Sequence, residues 1–292
     1  MQIKPECIPC ILRMGLSSMR ELDLDEDTVR ALFCRMAEIP ALRCGAWDIT
    51  SPEIIERVMK IIISATEDAD PFCDLKAKQN LSILGIEPSL RRLVEDASDP
   101  LLTAAKLAIL GNAIDLMMVD SPADMEKYIS ERLKAPVPKE AYGNLRDRLK
   151  DCRSLVYLGD NAGEIVIDRL LVEIIQDLYG PEMVYVVRSE AVLNDATLNE
   201  AGAAGLDKVI RVVENGIDGP FPGTVQKRCS EEVNHLLNRA DLIISKGGGN
   251  FDSLSEEESL RGKTAFLLLS KCRPYCRFFG VGLHDLILAC PS

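Results

Sequence analysis

The chain has 292 residues, of which 47% are hydrophobic and 27% are charged, so it is long enough for one large or two modest globular domains. A formal net charge of −12 argues against broad contact with nucleic acid or an anionic membrane, because both are bound by clustered Lys and Arg. No stretch approaches the roughly 20 apolar residues of a membrane span. Residues 1–20 lack a basic start followed by an apolar run, and we therefore expect a cytoplasmic protein.

In the first half of the chain, apolar residues recur at helical spacing. The pattern is clear in residues 28–37, 53–62 and 101–115. It predicts an all-helical N-terminal domain over residues 1–145. The Pro-containing segment 136–140 is the best candidate for a linker.

After residue 150, runs of Val, Ile, Leu and Tyr alternate with helical segments such as 165–178 and 225–239. This alternation is typical of a parallel sheet that is covered by helices on both faces. We therefore predict an α/β protein in which residues 146–292 form a Rossmann-like, doubly wound, mainly parallel sheet.

The predicted strands of this second half end in polar residues. Asp160 and Asn161 follow the first strand, Asp195 follows the second at a short distance, Lys246 follows a third, and the polar segment 270–272 follows a fourth. Open α/β sheets bind ligands outside the carboxyl ends of their strands. We expect these side chains to meet at that edge.

A hard divalent cation is the ligand that this residue set favours. Asp160 and Asp195 supply carboxylates and Asn161 supplies an amide oxygen, which are the donors that Mg²⁺ or Mn²⁺ prefers. The alternative is that each Asp merely caps a helix, and for either Asp alone that is the more common role.

The glycine-rich segment Lys246, Gly247, Gly248, Gly249, Asn250 predicts a phosphate-binding loop. Such a segment after a strand exposes backbone N–H groups, and the lysine adds a positive charge. It is not a Walker A loop, because the lysine precedes the glycines. Many glycine turns are only structural, but a metal site at the same edge points to phosphoryl chemistry.

Several separated motifs resemble those of the DUF89 family, the metal-dependent damage-control phosphatases. The resemblance covers nearly the whole chain in the family's order. The motifs lie at residues 70–76, 111–115, 160–164, 192–197 and 245–251, with Asn80, and Cys7 and Cys10 are similar to the paired cysteines of the family's mainly prokaryotic branch.

The resemblance implies a metal held by Asp160, Asn161 and Asp195, a substrate phosphate contacted by Lys246, and a Rossmann-like core with an accessory helical domain. It implies hydrolysis of small phosphomonoesters such as sugar phosphates or phosphopantetheine derivatives, some of them damaged metabolites, with manganese, nickel, cobalt or magnesium. Residues 198–201 depart from the commoner family pattern. The departure affects the expected role of this turn beside the metal site, and it does not affect the metal ligands themselves.

The remaining candidates are assigned to substrate binding, and each has a structural alternative. Arg188 either clamps the substrate or pairs with Glu190 or Asp195. Asn112 and Asp115 either reach the site from the helical half or make a buried structural hydrogen bond. The substrate-binding candidates are Lys246, Gly247, Gly248, Gly249, Asn250, Arg188, Glu164, Asn112 and Asp115, and the catalytic candidates are Asp160, Asn161, Asp195 and Lys246.

For the reaction itself, we expect the cation to polarise a phosphoryl oxygen and orient an attacking water. Direct attack by Asp160 is the alternative. Haloacid-dehalogenase phosphatases place a second Asp two residues after their nucleophile, and Ala162 stands at that position here. The pattern therefore favours water.

Cys7 and Cys10 form a pair whose role is open between a second metal site, a redox pair and packing. Zinc would need two further ligands, such as Cys272 and Cys276. The chain has ten cysteines, and we expect most of them to be free thiols.

Two other functions compete with the phosphatase. An S-adenosylmethionine-dependent methyltransferase would place its cofactor over the loop at Gly159, but the Gly-x-Gly-x-x-Gly pattern is absent. A non-catalytic metal- or ligand-binding protein would bind without turnover. In each case the expected partner is a small molecule, and for the phosphatase it is a phosphorylated one.

Overall fold

The computed structural model describes residues 1–114 and 124–291. Its helices are α1 (Cys7–Glu21), α2 (Glu26–Ala37), α3 (Ser51–Thr66), α4 (Cys73–Glu95), α5 (Pro100–Gly111), α6 (Met125–Arg132), α7 (Lys139–Asp151), α8 (Glu164–Tyr179), α9 (Leu198–Ala203), α10 (Glu231–Arg239), α11 (Gly247–Leu254), α12 (Glu258–Arg261) and α13 (Arg273–Phe279). Its strands are β1 (Ser154–Leu158), β2 (Glu182–Val187), β3 (Arg211–Glu214), β4 (Leu242–Lys246), β5 (Thr264–Leu269) and β6 (Leu286–Ala289). No helix within these ranges is long and apolar enough to cross a membrane.

The six strands form one sheet in the order β3-β2-β1-β4-β5-β6. Neighbours from β3 to β5 are parallel, and β6 is antiparallel to β5. The predicted mainly parallel α/β fold is confirmed. Because the chain runs outward from β1 through β2 in one direction and through β4 in the other, the strand order reverses beside β1, where open sheets form a ligand crevice.

Side chains of β1 alternate between the two faces of the sheet, as the period of a strand requires. Leu155 and Tyr157 belong to one core cluster, which includes residues of α4, α5, α7 and α8. Val156 and Leu158 belong to another, which includes residues of α10 and α11. Helices therefore cover both faces, and the sheet is doubly wound.

The helical half divides between two cores. Helices α1 to α3 enclose their own cluster, in which Met14, Met36 and Met59 are almost fully buried. Helices α4 to α7 instead contribute to the core on one face of the sheet. Helix α7 runs through residue 145, and the change from helices to strands falls between Asp151 and Ser154.

Candidate active site

The predicted metal ligands meet just beyond the carboxyl end of β1. Asn161 forms an isolated antiparallel bridge with Asp195, and the Ala196 N–H donates to the Asp160 carbonyl oxygen at 2.7 Å. Backbone pairing thus holds the loop after β2 against the loop after β1. Asp160, Asn161 and Asp195 all line one cavity of about 380 Å³.

Hydrogen bonds from three side chains hold the two carboxylates. Arg188 donates through Nε to Asp195 Oδ2 at 2.7 Å and through Nη2 to Asp160 Oδ1 at 3.3 Å. Asn112 Nδ2 and Asn161 Nδ2 donate to Asp160 Oδ2 at 3.0 and 2.9 Å. Arg188 therefore makes the ion pair with Asp195 that was one of its two predicted roles, and Asn112 reaches the site from α5.

Asp115 lies outside the described residues, and nothing in the structure bears on its predicted role. Glu164, at the start of α8, is fully buried and accepts hydrogen bonds from Asn112 and Asn161 at 3.0 and 3.1 Å. The described residues of the cavity wall include neither Glu164 nor Arg188. Both lie behind the wall, where they support the predicted ligands Asp160 and Asn161.

Lys246 is also behind the wall, completely buried at the end of β4. Its Nζ donates to Glu164 Oε1 and, at 2.6 Å, to Asp168 Oδ1. Burial by itself lowers the pKa of Lys246, but the carboxylates of Asp168 and Glu164 outweigh burial and raise the pKa above its ordinary value. Contact between this ammonium group and a substrate would require both ion pairs to break.

Asp168, one turn after Glu164 on α8, was missed by the sequence analysis. Tyr157 and Tyr185 stack with ring centroids 4.9 Å apart and donate their hydroxyls to Asp168 at 2.9 and 2.8 Å. Burial raises the pKa of Asp168 to about 6. At Gly159 a Cβ atom would lie 2.4 Å from the Tyr185 ring, so the two tyrosines require glycine there.

The predicted phosphate-binding loop is the first turn of α11, so the helix begins earlier than the sequence indicated. Gly247 has φ +76°, and a Cβ atom there would lie 1.8 Å from Asp160 Oδ2. Only glycine can therefore occupy position 247, where the start of the helix lies against the Asp160 carboxylate. Gly248 and Gly249 line the cavity, and the first-turn N–H groups of a helix lack intrahelical partners and attract anions.

Asn250 has a structural position in the same turn rather than a place on the cavity wall. Its Nδ2 donates to the Gly159 and Lys246 carbonyl oxygens at 2.9 and 2.8 Å. Its Oδ1 accepts from Arg188 Nη1 at 3.0 Å and from Thr224 Oγ1 at 2.8 Å. Asn250 thereby ties the start of α11 to β1, to β4 and to the arginine that holds the ligands.

The charges of this buried cluster fit a divalent cation. Burial raises the pKa of Asp160 well above its ordinary value, the charges of Asp195 and Glu164 raise it further, and Arg188 and Lys271 oppose the increase. Buried charge is costly unless it is neutralised. The carboxylates Asp160, Glu164, Asp168 and Asp195 outnumber the buried cations Arg188 and Lys246 by two.

The donor types agree with a hard cation. In the part of the chain that the structure describes, no three His, Cys, Asp or Glu side chains are grouped to hold a metal. The third donor of this site is the amide of Asn161, whose hydrogen bonds use Nδ2 and leave Oδ1 for a cation. Two carboxylates and an amide oxygen suit Mg²⁺ or Mn²⁺.

The rest of the cavity wall holds residues to which the sequence pattern gave no catalytic or binding role. Lys271, two residues after β5, is half-buried on the wall and close enough to Asp160 to lower its pKa. Arg13 of α1 and His284 line the cavity as well, and so does Asp252 of α11. Segment 270–272 was predicted to reach this edge because it follows a strand, whereas the sequence around Arg13 and Asp252 gave no such signal.

Cys7 and Cys10, in the first turn of α1, also line the cavity, together with Cys272. Burial raises the pKa of Cys7, and it raises that of Cys272 to about 12. All ten cysteines are free. A raised pKa favours the protonated thiol, which is the less reactive form.

Fold and site together define an α/β protein with an acidic strand edge beside a glycine-lined helix start. The model of the damage-control phosphatase ARMT1-like domain matches residues 3–287. The chain therefore belongs to this family, and it is a phosphatase.

Three archaeal relatives match over nearly their full lengths. An uncharacterised protein of Methanocaldococcus jannaschii is 33% identical, with 98% of this chain and 95% of the relative covered. A damage-control phosphatase of Archaeoglobus fulgidus is 30% identical, with 98% of each chain covered. The crystal structure of a DUF89 family protein from Pyrococcus horikoshii superposes with a TM-score of 0.84 at 26% identity and covers 100% of both chains.

Proposed function

We propose that this phosphatase is a metal-dependent phosphomonoester hydrolase that acts on small phosphorylated metabolites. The observation that carries the proposal is the meeting of Asp160, Asn161 and Asp195 with the first turn of α11 on one cavity wall. The carboxylates suit a cation and the helix start suits a phosphate.

Asp160, Asn161 and Asp195 would hold the divalent cation, whether it is manganese, magnesium, nickel or cobalt. When bound, such a cation supplies positive charge to the phosphoryl oxygens and to an attacking water. Arg188 and Asn112 fix the carboxylates in place through the hydrogen bonds described above. The cluster is therefore assembled before substrate arrives, which lowers the cost of reorganisation during reaction.

We assign the substrate phosphate to the cavity side of this edge. The N–H groups at Gly248 and Gly249 lie at the start of α11, and Lys271 supplies a cation on the same wall. Lys246 would support binding indirectly, because it compensates Glu164 and Asp168 beneath the ligands. Its predicted direct contact with phosphate stays a prediction.

We favour water over Asp160 as the nucleophile. Asp160 Oδ1 accepts a hydrogen bond from Arg188, and Oδ2 accepts hydrogen bonds from Asn112 and Asn161. Of the roughly four lone-pair sites of a carboxylate, these bonds leave about one, which we assign to the cation rather than to attack on phosphorus. Ala162 also leaves no second acid next to Asp160 to assist it.

The cavity limits the class of substrate. At about 380 Å³, it suits a compact phosphorylated metabolite such as a sugar phosphate, or part of a longer one such as a phosphopantetheine derivative. The Archaeoglobus fulgidus relative is named a damage-control phosphatase. On that basis we include damaged phosphorylated metabolites among the candidate substrates.

The test is phosphate release by chelator-treated protein to which Mg²⁺, Mn²⁺, Co²⁺ or Ni²⁺ is added back. The panel would contain p-nitrophenyl phosphate, sugar phosphates and cofactor phosphates, with Asp195→Asn as the matched control. Release that is restored by metal in the wild type but not in Asp195→Asn supports the proposal. Metal binding without release on any substrate would contradict it.

A further inference from the structure

Asp252 is a carboxyl group in the cavity wall that the metal site does not use. It lies on α11 one turn after Gly248, so both residues share one face of the helix. Tyr275 lies next to both residues. A Cβ atom at Gly248 would lie 2.5 Å from the Tyr275 hydroxyl oxygen, and a hydrogen bond between this hydroxyl and Asp252 lowers the pKa of Asp252. Asp252 is thus one helical turn away from the proposed phosphate position.

The surroundings of Asp252 favour its protonated form. Its Oδ1 is buried and has no hydrogen-bond partner in the described part of the chain. Burial is the main cause that raises the pKa of Asp252 to about 7, and Glu256 raises it further. The Met1 amine and the hydroxyls of Tyr275 and Ser51 oppose the increase, while Cys7 and Cys272 nearby are themselves held as neutral thiols.

The other carboxylates of the described cavity wall are engaged elsewhere. Asp160 and Asp195 are paired with Arg188 and assigned to the metal. Glu6 is paired with Arg277 at 2.6 Å. Asp252 is therefore the carboxyl group of this wall that retains its proton near neutral pH and lies away from the carboxylates assigned to the metal.

We propose that Asp252 is the general acid of the reaction and protonates the leaving oxygen of the substrate. Water forms the new P–O bond while the bond from phosphorus to the leaving oxygen breaks, and its electron pair stays on that oxygen. The carboxyl proton of Asp252 passes to this oxygen, which leaves as an alcohol. The proton released by the attacking water returns to the Asp252 carboxylate through solvent, so that the cycle consumes one water and yields alcohol and phosphate.

This role of Asp252 rests on the proposed phosphomonoester hydrolase function, and it adds the group that protonates the leaving oxygen. A leaving group that is stable as an anion needs little protonation, whereas an alkoxide needs a proton in the transition state. Loss of the acid should therefore affect alkyl phosphates far more than p-nitrophenyl phosphate. A merely structural role of Asp252 would affect both substrates alike.

The experiment compares wild-type holoenzyme with Asp252→Asn, Asp252→Glu and, as a matched control, Glu256→Gln. Glu256 is a neighbouring carboxylate whose side chain is 61% exposed outside the cavity wall. Each protein is assayed with p-nitrophenyl phosphate and with the best sugar or other alkyl phosphate, across pH 5 to 9. Thermal unfolding establishes that each variant is folded.

We expect Asp252→Asn to lose about 100-fold or more in kcat for the alkyl phosphate, with little change for p-nitrophenyl phosphate. The fall of wild-type alkyl phosphatase activity on the alkaline side should disappear in this variant. Asp252→Glu should recover part of the lost activity, and Glu256→Gln should match the wild type.

Equal losses on the two substrates, or no loss on either, would overturn the assignment of Asp252. A wild type that hydrolyses p-nitrophenyl phosphate but no alkyl phosphate would also overturn it. If Asp252→Asn does not fold, an Asp252→Glu variant that folds but loses equal activity on both substrates would overturn it. Failure of the wild type on every phosphomonoester with every metal is a different result, because it refutes the proposed function itself.

Discussion

Two lysines that follow neighbouring parallel strands have different environments. Lys246 ends β4, is fully buried and pairs with Glu164 and Asp168. Lys271 follows β5 and lies half-buried on the cavity wall. The difference arises because α8 covers the end of β4 with two carboxylates. A position directly after a strand therefore places a charged side chain near the site. The helices packed over that strand end determine whether the side chain is buried in ion pairs or lies on the cavity wall.

Loss of a metal ligand should have the largest effect on this site. We expect Asp160→Ala or Asp195→Ala to lower metal-dependent kcat about 10³-fold or more, because cation chemistry is worth several kcal/mol in the transition state. Calorimetric titration with Mn²⁺ should show weakened binding, and circular dichroism should show a folded protein. Rates like those of the wild type in both variants would refute the assignment of the ligands.

Lys246→Met tests the buried side of the comparison. Without its ammonium group, Glu164 and Asp168 remain buried without their cation, so we expect the free energy of unfolding to fall by about 3–5 kcal/mol. Denaturant titration of metal-free protein measures the change.

The matched control is Lys271→Met, which should change the free energy of unfolding by less than about 0.5 kcal/mol. Similar stability losses in the two variants, or a stable Lys246→Met protein with only a raised KM, would break the comparison. The second result would return Lys246 to direct substrate contact.

Asp252 gives the cavity wall a pH-dependent stability. Its pKa is about 7 in the folded protein and 3.8 when unperturbed, so folding favours the protonated form. Its stabilising contribution is present below about pH 4 and is lost as the pH rises to about 7, at about 1 kcal/mol per pH unit. As the pH rises, the free energy of unfolding of the wild type should fall with this slope relative to that of Asp252→Asn. Parallel stability curves from pH 4 to 8 would show that Asp252 ionises normally.

Lys271→Met should have the smallest effect of the four, and it acts on binding. A charged hydrogen bond to phosphate is worth about 1.5 kcal/mol, which corresponds to an increase in KM of about tenfold. Steady-state kinetics on the best substrate measure it, with Lys271→Arg as a control that keeps the charge. An unchanged KM in Lys271→Met would remove Lys271 from the phosphate site.

The amino-acid pattern is sufficient to predict the sheet and the edge where the candidate site lies. Apolar runs that alternate with helical segments require a parallel sheet, and parallel strands deliver their carboxyl ends to one edge. The pattern therefore predicts that Asp160, Asn161 and Asp195 lie at one edge of the sheet. The glycines after β4 were recognised as well, although their helical start was not, because three glycines have a low helix propensity that tertiary packing overrides here.

Which charged groups face the cavity depends on how distant parts of the chain pack together. Asn112 reaches Asp160 from the end of α5, and Asp168 lies beneath Lys246. Asp252 interacts with the Met1 amine, with α3 and with α13. These neighbours come from distant parts of the chain. Burial and partner charges depend on how helices pack over the sheet, and no local pattern of residues contains that information.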